Sequence, residues 1–459
     1  LALTRGWIGG AGDPAGRQAI AYASRYAERL PGRQRSLVSA YQSFLDGDLP
    51  HARDLYIALL ARDSIDTDAW YALGDAWFHD PDSTVAGRAR KMTSSLRAFR
   101  RALALDPAYA LAYEHVAMMY TDASRDRPIF ALVTADSFAP SATVDSAVRT
   151  QSIQRARRAG IQLSRDWVAA QPGTERAHRA LIDAYAAAHD VPDALQEIDR
   201  LRLPPGRTDA VTAALLEGRA RFAAGDISGA LATLRPAYDS LGDDAGRVRQ
   251  LSAIDYQMLL ATVNPFLYSG DLTTASRVIA LTRSARQRLM PSEGRDTTTV
   301  DWRYFDRVQE GQYYGPGGSP RDLQTTWHAV AEAARNAKPE GRAAIARAGA
   351  AAAVGLLLSP AGDTLPVTEL RALTGDELPG DVAALIAIAR GDTSDARRNL
   401  ANSDTKPGPV YRWGLGGWVG TPRLLTAYAH FELGDYMLTL NLLSDYTPDY
   451  LQPNALDPR

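Results

Sequence analysis

Seven histidines and many scattered carboxylates are the groups here that could bind a metal or move a proton. His79-Asp80-Pro81-Asp82 has the oxygen-rich look of a hard-cation loop, but the same residues suit a capped turn, which is the reading adopted. Asp63, Asp66 and Asp68 stand just before a helical pattern, where carboxylates stabilise a helix N-terminus. Glu114-His115 belongs to no H-E-x-x-H, no two histidines are spaced i, i+4, and cysteine is absent, so no zinc site is expected. His178 falls at a core position of a helical pattern and is expected to be a buried, hydrogen-bonded imidazole. There is no G-x-x-x-x-G-K-[ST] phosphate loop and no G-x-S-x-G elbow. Gly414-x-Gly416 lacks the later glycine and a preceding strand, which excludes a dinucleotide fingerprint. No catalytic residue, cofactor or metal is expected.

With catalysis set aside, the informative residues are those that build surfaces. Trp70, Leu73, Gly74 and Trp77 recur three or four residues apart and so share one helical face. Gly74 is poor in an isolated helix but lets a second helix approach closely. Phe99, Ala102 and the Pro107 stop mark that second helix. Tyr113, Val116, Ala117 and Tyr120 repeat the first-helix pattern. His178, Leu181, Ile182 and Tyr185 repeat it again before a His189-Asp190 turn. A helical pair of this kind cannot bury its apolar side alone and predicts neighbours.

The turns supply a ruler. The chain has eleven Gly-Asp pairs, and five of them, at Gly47, Gly225, Gly270, Gly391 and Gly434, carry Ala or Thr four residues after the Asp. An apolar residue follows four further on. Glycine provides the positive φ that ends a helix, and aspartate caps the next one. Helical hairpins are therefore predicted almost to the C-terminus. No sustained alternation predicts a strand.

The series W-x-x-L-G-x-x-(aromatic) followed by a helix with an aromatic, a small residue and a proline stop resembles the tetratricopeptide repeat (TPR) superfamily. The resemblance covers residues 33–204 and, more loosely, 205–290, 381–401 and 421–446. It implies an all-α fold, an α-solenoid of TPR-like hairpins with insertions and a degenerate C-terminal helical part. Arg29-Leu30-Pro31-x-Arg33 leading to Ala69–Asp75, within residues 20–107, is similar to the TPR tails of bacterial transmembrane serine/threonine kinases and related regulators, without any kinase catalytic motif. Residues 1–204 are expected to form an N-terminal array with insertions at 79–88 and 121–148, and residues 205–290 degenerate hairpins. An aromatic, Gly-Pro-containing linker is expected at 291–322 and a C-terminal helical domain at 323–459, with helices near 323–337, 342–358, 382–390 and 424–433.

The family's groove positions fall on Asp68, Tyr71 and Asp75, then Leu111, Glu114 and Met118, then Arg176, Arg179 and Asp183. This face is a candidate for gripping a peptide or partner helix. It lacks the basic and amide residues of the carboxylate clamp found in chaperone-binding members. The aromatic residues Phe130, Phe138, Trp302, Tyr313, Tyr314, Trp413 and Trp418 are candidate loop contacts, because long ordered loops on a rigid scaffold often carry binding.

Composition limits the partners. Lys plus Arg is 51 against 53 for Asp plus Glu, a net charge of −2, and the short basic run Arg155–Arg158 is a solvated helix face. Nucleic acid is not expected. The longest apolar run, Ala348–Leu358, is too short to span a bilayer. A first residue of Leu1 rather than Met is expected of a processed or truncated chain, so a signal or anchor need not be in view. Together with the lack of cysteine, this favours a bacterial periplasmic or extracytoplasmic membrane-surface location over the cytoplasm. The expected function is a non-enzymatic protein–protein scaffold, an extrinsic subunit docking onto and stabilising a larger, membrane-associated complex. The alternatives are a sensor or docking domain binding a peptide or small ligand, and an enzyme on a helical-repeat fold.

Overall fold

The Gly-Asp dipeptides mark where one helix stops and the next begins. At Gly47, Gly225, Gly391 and Gly434 the glycine φ is +76° to +83°. In each case the following Asp N–H donates to the carbonyl five residues back, at 2.9 Å, and the glycine N–H to the carbonyl three residues back. This double bond pattern is the Schellman closure of a helix C-terminus. Asp271 N–H makes the same bond to Phe266 O, also at 2.9 Å. At His189-Asp190 the closure recurs, with His189 as the sole positive-φ non-glycine residue among those described. The aspartates then cap the next helix: Asp48, Asp226, Asp271 and Asp392 accept from the N–H three residues on.

The computed structural model describes residues 14–80, 85–124, 132–134, 137–139, 146–202, 209–242, 320–336, 349–360, 362–375, 380–403 and 422–444, with isolated positions between 262 and 281 and between 342 and 346, and residue 378. The chain divides into two compact units, Leu1–Asp244 and Ala245–Arg459. The sequence-based segment 205–290 is thus shared between them.

The first unit contains α1 (Pro14–Arg25), α2 (Gly32–Leu45), α3 (Leu49–Arg62), α4 (Thr67–Phe78), α5 (Val85–Leu105), α6 (Ala110–Ala123), α7 (Ser146–Ala170), α8 (Glu175–Ala187), α9 (Val191–Arg202), α10 (Ala210–Ala223) and α11 (Ile227–Leu241). α2 pairs with α3, α4 with α5, α6 with α7, α8 with α9 and α10 with α11, and first helices also pack on first helices, α6 on α8 and α8 on α10. It is an all-α stack of hairpins, an α-solenoid. The ruler's small residues Ala52 and Ala230 are fully buried where the two helices of a hairpin meet.

Gly74 shows why the hairpins need small residues. A Cβ there would lie 2.6 Å from the ring of Phe99, and one at Gly218 would lie 2.4 Å from Leu234. Both contacts join first to second helix at the same repeat position, the Gly74 pair being farther apart in sequence by the insertion. Gly74→Ala is expected to destabilise the first unit by about 1–3 kcal/mol, because the fully buried Phe99 ring has nowhere to move. A urea midpoint equal to the parent's would show that the close approach is relieved without cost.

The second insertion contains what the sequence did not announce, an antiparallel pair of two-residue strands, β1 (Leu132–Val133) and β2 (Phe138–Ala139), with Val133 opposite Phe138. Strands so short leave no alternation to read. They are pinned to the flanking helices: Val133 N–H donates to Ser152 Oγ at 2.7 Å in α7, and Phe138 N–H to Thr93 Oγ1 at 2.9 Å in α5.

The second unit contains α12 (Pro320–Asn336), α13 (Ala350–Leu358), α14 (Leu365–Thr374), α15 (Gly380–Ala389), α16 (Thr393–Ser403), α17 (Pro422–Glu432) and α18 (Tyr436–Ser444). α13 packs on α15 and α15 on α17, with α15–α16 and α17–α18 as hairpins. α14 was not anticipated; its mark is Pro366 in the first turn. α12 and α14 are tied through Glu369, which accepts from Trp327 Nε1 at 3.0 Å and pairs with Arg335.

Candidate functional site

The first helices carry a string of polar contacts from one hairpin to the next. Arg33 in α2 grips Asp66, the cap residue of α4, through Nε at 2.6 Å and Nη2 at 2.8 Å, and reaches Asp68 at 2.9 Å. Tyr109, at the start of α6, donates its hydroxyl to Asp68 at 3.1 Å. Arg176 in α8 bonds Glu114 in α6 at 2.9 Å, and Arg219 in α10 bonds Asp183 in α8 at 3.0 Å. Arg179 bonds Glu175, one turn earlier in the same helix, at 2.6 Å. Burial of Asp66 favours its neutral form, but the Arg33 fork and the Ala69 N–H outweigh this and hold the carboxyl below its ordinary range. Isolated exposed pairs contribute little; a series joining consecutive units instead fixes their alignment.

Of the candidate groove residues, Asp68, Asp75, Glu114, Arg176, Arg179 and Asp183 are therefore engaged with partners in this chain. Tyr71 is only 4% exposed. Its ring lies 5.6 Å from Phe99 and 5.3 Å from Tyr109, and burial pushes its hydroxyl pKa up. Leu111 is half-buried. Met118, 38% exposed, is the apolar residue of the set that faces outward.

The same face holds a group that sequence reasoning missed. Asp75 on α4 and His79, the residue that closes α4, stand one turn apart, and His115 comes from α6. His79 Nε2 lies 3.2 Å and His115 Nε2 3.3 Å from the same oxygen, Asp75 Oδ1. His115 Nδ1 is 2.9 Å from the carbonyl of Leu111. The three are mostly buried and ringed by aromatics: Phe44 and Phe78 meet His79, and Phe78, Phe99 and Tyr71 meet His115, at centroid distances of 4.9–5.8 Å. Burial opposes the charged form of both Asp75 and His115. Their hydrogen bonding prevails, holding Asp75 well below the usual carboxylate range and His115 above the usual histidine range. Among the described residues these are the side chains grouped so that they could hold a metal ion. The available sequence signal was Asp75-x-x-x-His79, a carboxylate–imidazole pair at helical spacing.

The other polar motifs of the sequence are structural. His79-Asp80 splits, His79 turning back to Asp75 while the Asp80 carboxylate pairs with Arg53 and its carbonyl accepts from Lys91 Nζ at 2.7 Å. Arg53 also stacks over Trp77, 4.1 Å from the ring centroid. Asp66 is the cap of α4, accepting from Ala69 N–H at 3.1 Å. His178 is buried, with Nδ1 on Glu197 and Nε2 3.0 Å from Pro172 O. Phe138 is buried with Phe99 and Val116. Phe130, Trp302, Tyr313, Tyr314, Trp413 and Trp418 lie outside the described residues.

No family model matches the sequence, and no curated protein matches it. Among solved structures, the Naa15/Naa10 complex bound to HypK-THB is similar with a TM-score of 0.28 at 12% identity, over 98% of this chain and 67% of that one. The TPR domain of P58(IPK) is similar with a TM-score of 0.20 at 10% identity, over 82% of this chain and 100% of that one. The helical-repeat architecture rests on the chain's own hairpins and turns.

Proposed function

We propose that this chain is a non-catalytic scaffold, an extrinsic subunit that docks onto a larger protein complex on the extracytoplasmic side of a bacterial membrane. The observation that carries the reading is the α17–α18 hairpin. Phe431 on α17 and Tyr436, Met437, Leu438 and Leu440 on α18 are each half or more exposed. Clustered exposed apolar side chains mark protein contacts. The partner is a protein with an apolar surface that covers these side chains. The polar string along the first helices supports a surface held in one shape, which lowers the ordering cost of binding. No helix among the described residues is long and apolar enough to cross a membrane. The cysteine-free composition suits an oxidising compartment.

Tagged full-length chain recovered from native membranes is expected to bring one partner at a fixed ratio, measured by mass spectrometry. The double variant Met437→Glu, Leu440→Glu is expected to lower that recovery about tenfold with the helical circular dichroism unchanged, since both positions are exposed. A chain with no stable partner, or a double variant that keeps it in full, would defeat the reading.

A further inference from the structure

We propose that Asp75, His79 and His115 form a binding site for one divalent first-row transition metal ion of the zinc type, which staples α4 to α6. The inference stands apart from the docking reading and rests on three features of the cluster.

The first is spacing. Zinc holds imidazole nitrogen and carboxylate oxygen at about 2.0–2.1 Å, so neighbouring ligand atoms of a tetrahedral site are roughly 3.3 Å apart. The two Nε2–Oδ1 separations are 3.2 and 3.3 Å, and all three ligand atoms lie within 4.8 Å of one another. An ion can be reached by all three with small side-chain adjustments, leaving a fourth position for water.

The second is the tautomer. The Leu111 carbonyl can only accept, so His115 Nδ1 must carry the proton that fills the 2.9 Å bond. In the neutral ring that puts the lone pair on Nε2, the atom aimed at Asp75. A backbone carbonyl fixing the far nitrogen of a histidine is the usual orienting contact behind a metal ligand. Without an ion, both ring nitrogens of His115 face acceptors.

The third is the setting. Two imidazoles with one carboxylate form a donor set suited to zinc and its neighbours rather than to magnesium or calcium, which take oxygen ligands. Phe44, Phe78 and Phe99 form apolar walls that strengthen charge interactions inside. Asp75 and His79 arrive together on one helical turn, and His115 comes from the next hairpin. Binding therefore joins two consecutive units, and its energy is added to the stability of their interface.

The test is a calorimetric titration of chelator-stripped full-length chain with Zn²⁺, and with Co²⁺ followed by visible absorption. One ion per chain is expected, with an intense Co²⁺ band of low coordination number. The melting temperature should rise by about 5 °C or more at a hundredfold excess over Kd. His79→Ala and His115→Ala are each expected to weaken binding by at least about a hundredfold. His51→Ala and His328→Ala, at exposed histidines, should leave it unchanged. Should His115→Ala fail to fold, His79→Ala decides, because its ring is the most exposed of the three. No one-to-one binding by the parent chain, or full binding by His79→Ala, overturns the proposal.

Discussion

Trp167→Ala is expected to lower the stability of the first unit by about 3–5 kcal/mol, the cost of an emptied aromatic site that cannot collapse. Trp167 on α7 is 1% exposed and packs with Tyr113 of α6 and Ala177 of α8, so its indole lies where two hairpins join. Its ring is parallel to that of Tyr113, with centroids 5.4 Å apart and planes 4° apart. Loss of such a pair adds about 0.5–1.5 kcal/mol to the loss of buried area. The indole Nε1 donates to Gln171 Oε1 at 2.9 Å, and Gln171 Nε2 donates to the Ala108 carbonyl at 2.8 Å. The side chain thus also holds the loop that enters α6. Trp167→Phe keeps a stacked ring and loses the donor, so about 1–2 kcal/mol is expected instead. Urea unfolding of the full chain, followed by circular dichroism, measures both. A Trp167→Ala loss below about 1.5 kcal/mol would mean that α6, α7 and α8 close over the site.

That joint also shows what the sequence could disclose. The turns were legible because they are local: a positive-φ glycine, a capping aspartate and a small residue one turn later declare themselves within a dozen residues. The close approach at Gly74 was legible for the same reason, since no other residue type tolerates it. Pairings between hairpins were not. Nothing near His115 indicates that Asp75 lies beside it, because their contact depends on how far α6 is rotated against α4. The polar string on the first helices was hidden likewise. Asp68, Glu114 and Asp183 read as an open charged face, and only packing reveals that Arg33, Arg176 and Arg219 reach them from neighbouring units. The strands at 132–139 are too short for periodicity and exist because Thr93 and Ser152 hold them.

Asp381→Asn is expected to stabilise the second unit at neutral pH and to have almost no effect near pH 2.5. Asp381, in the first turn of α15, is buried. Burial pushes its carboxyl up to about 6, against an ordinary value near 3.8, although its own N–H and that of Val382 favour the charged form. The folded state therefore holds the proton more tightly than the unfolded chain. Well below pH 4 both states are protonated and the residue costs nothing. Between about 4 and 6 the unfolded chain ionises first, and stability falls as pH rises. Above about 6 both are ionised and the cost levels off at roughly 3 kcal/mol. Asparagine keeps an acceptor for the two N–H groups and carries no charge to desolvate, so it removes the cost. Urea unfolding of parent and variant at pH 2.5, 4, 6 and 7.5 should give curves that coincide at the acid end and separate by up to about 3 kcal/mol at the other. Equal separation at every pH would assign the effect to packing, and no separation would mean that the Asp381 carboxylate is solvated in the folded protein.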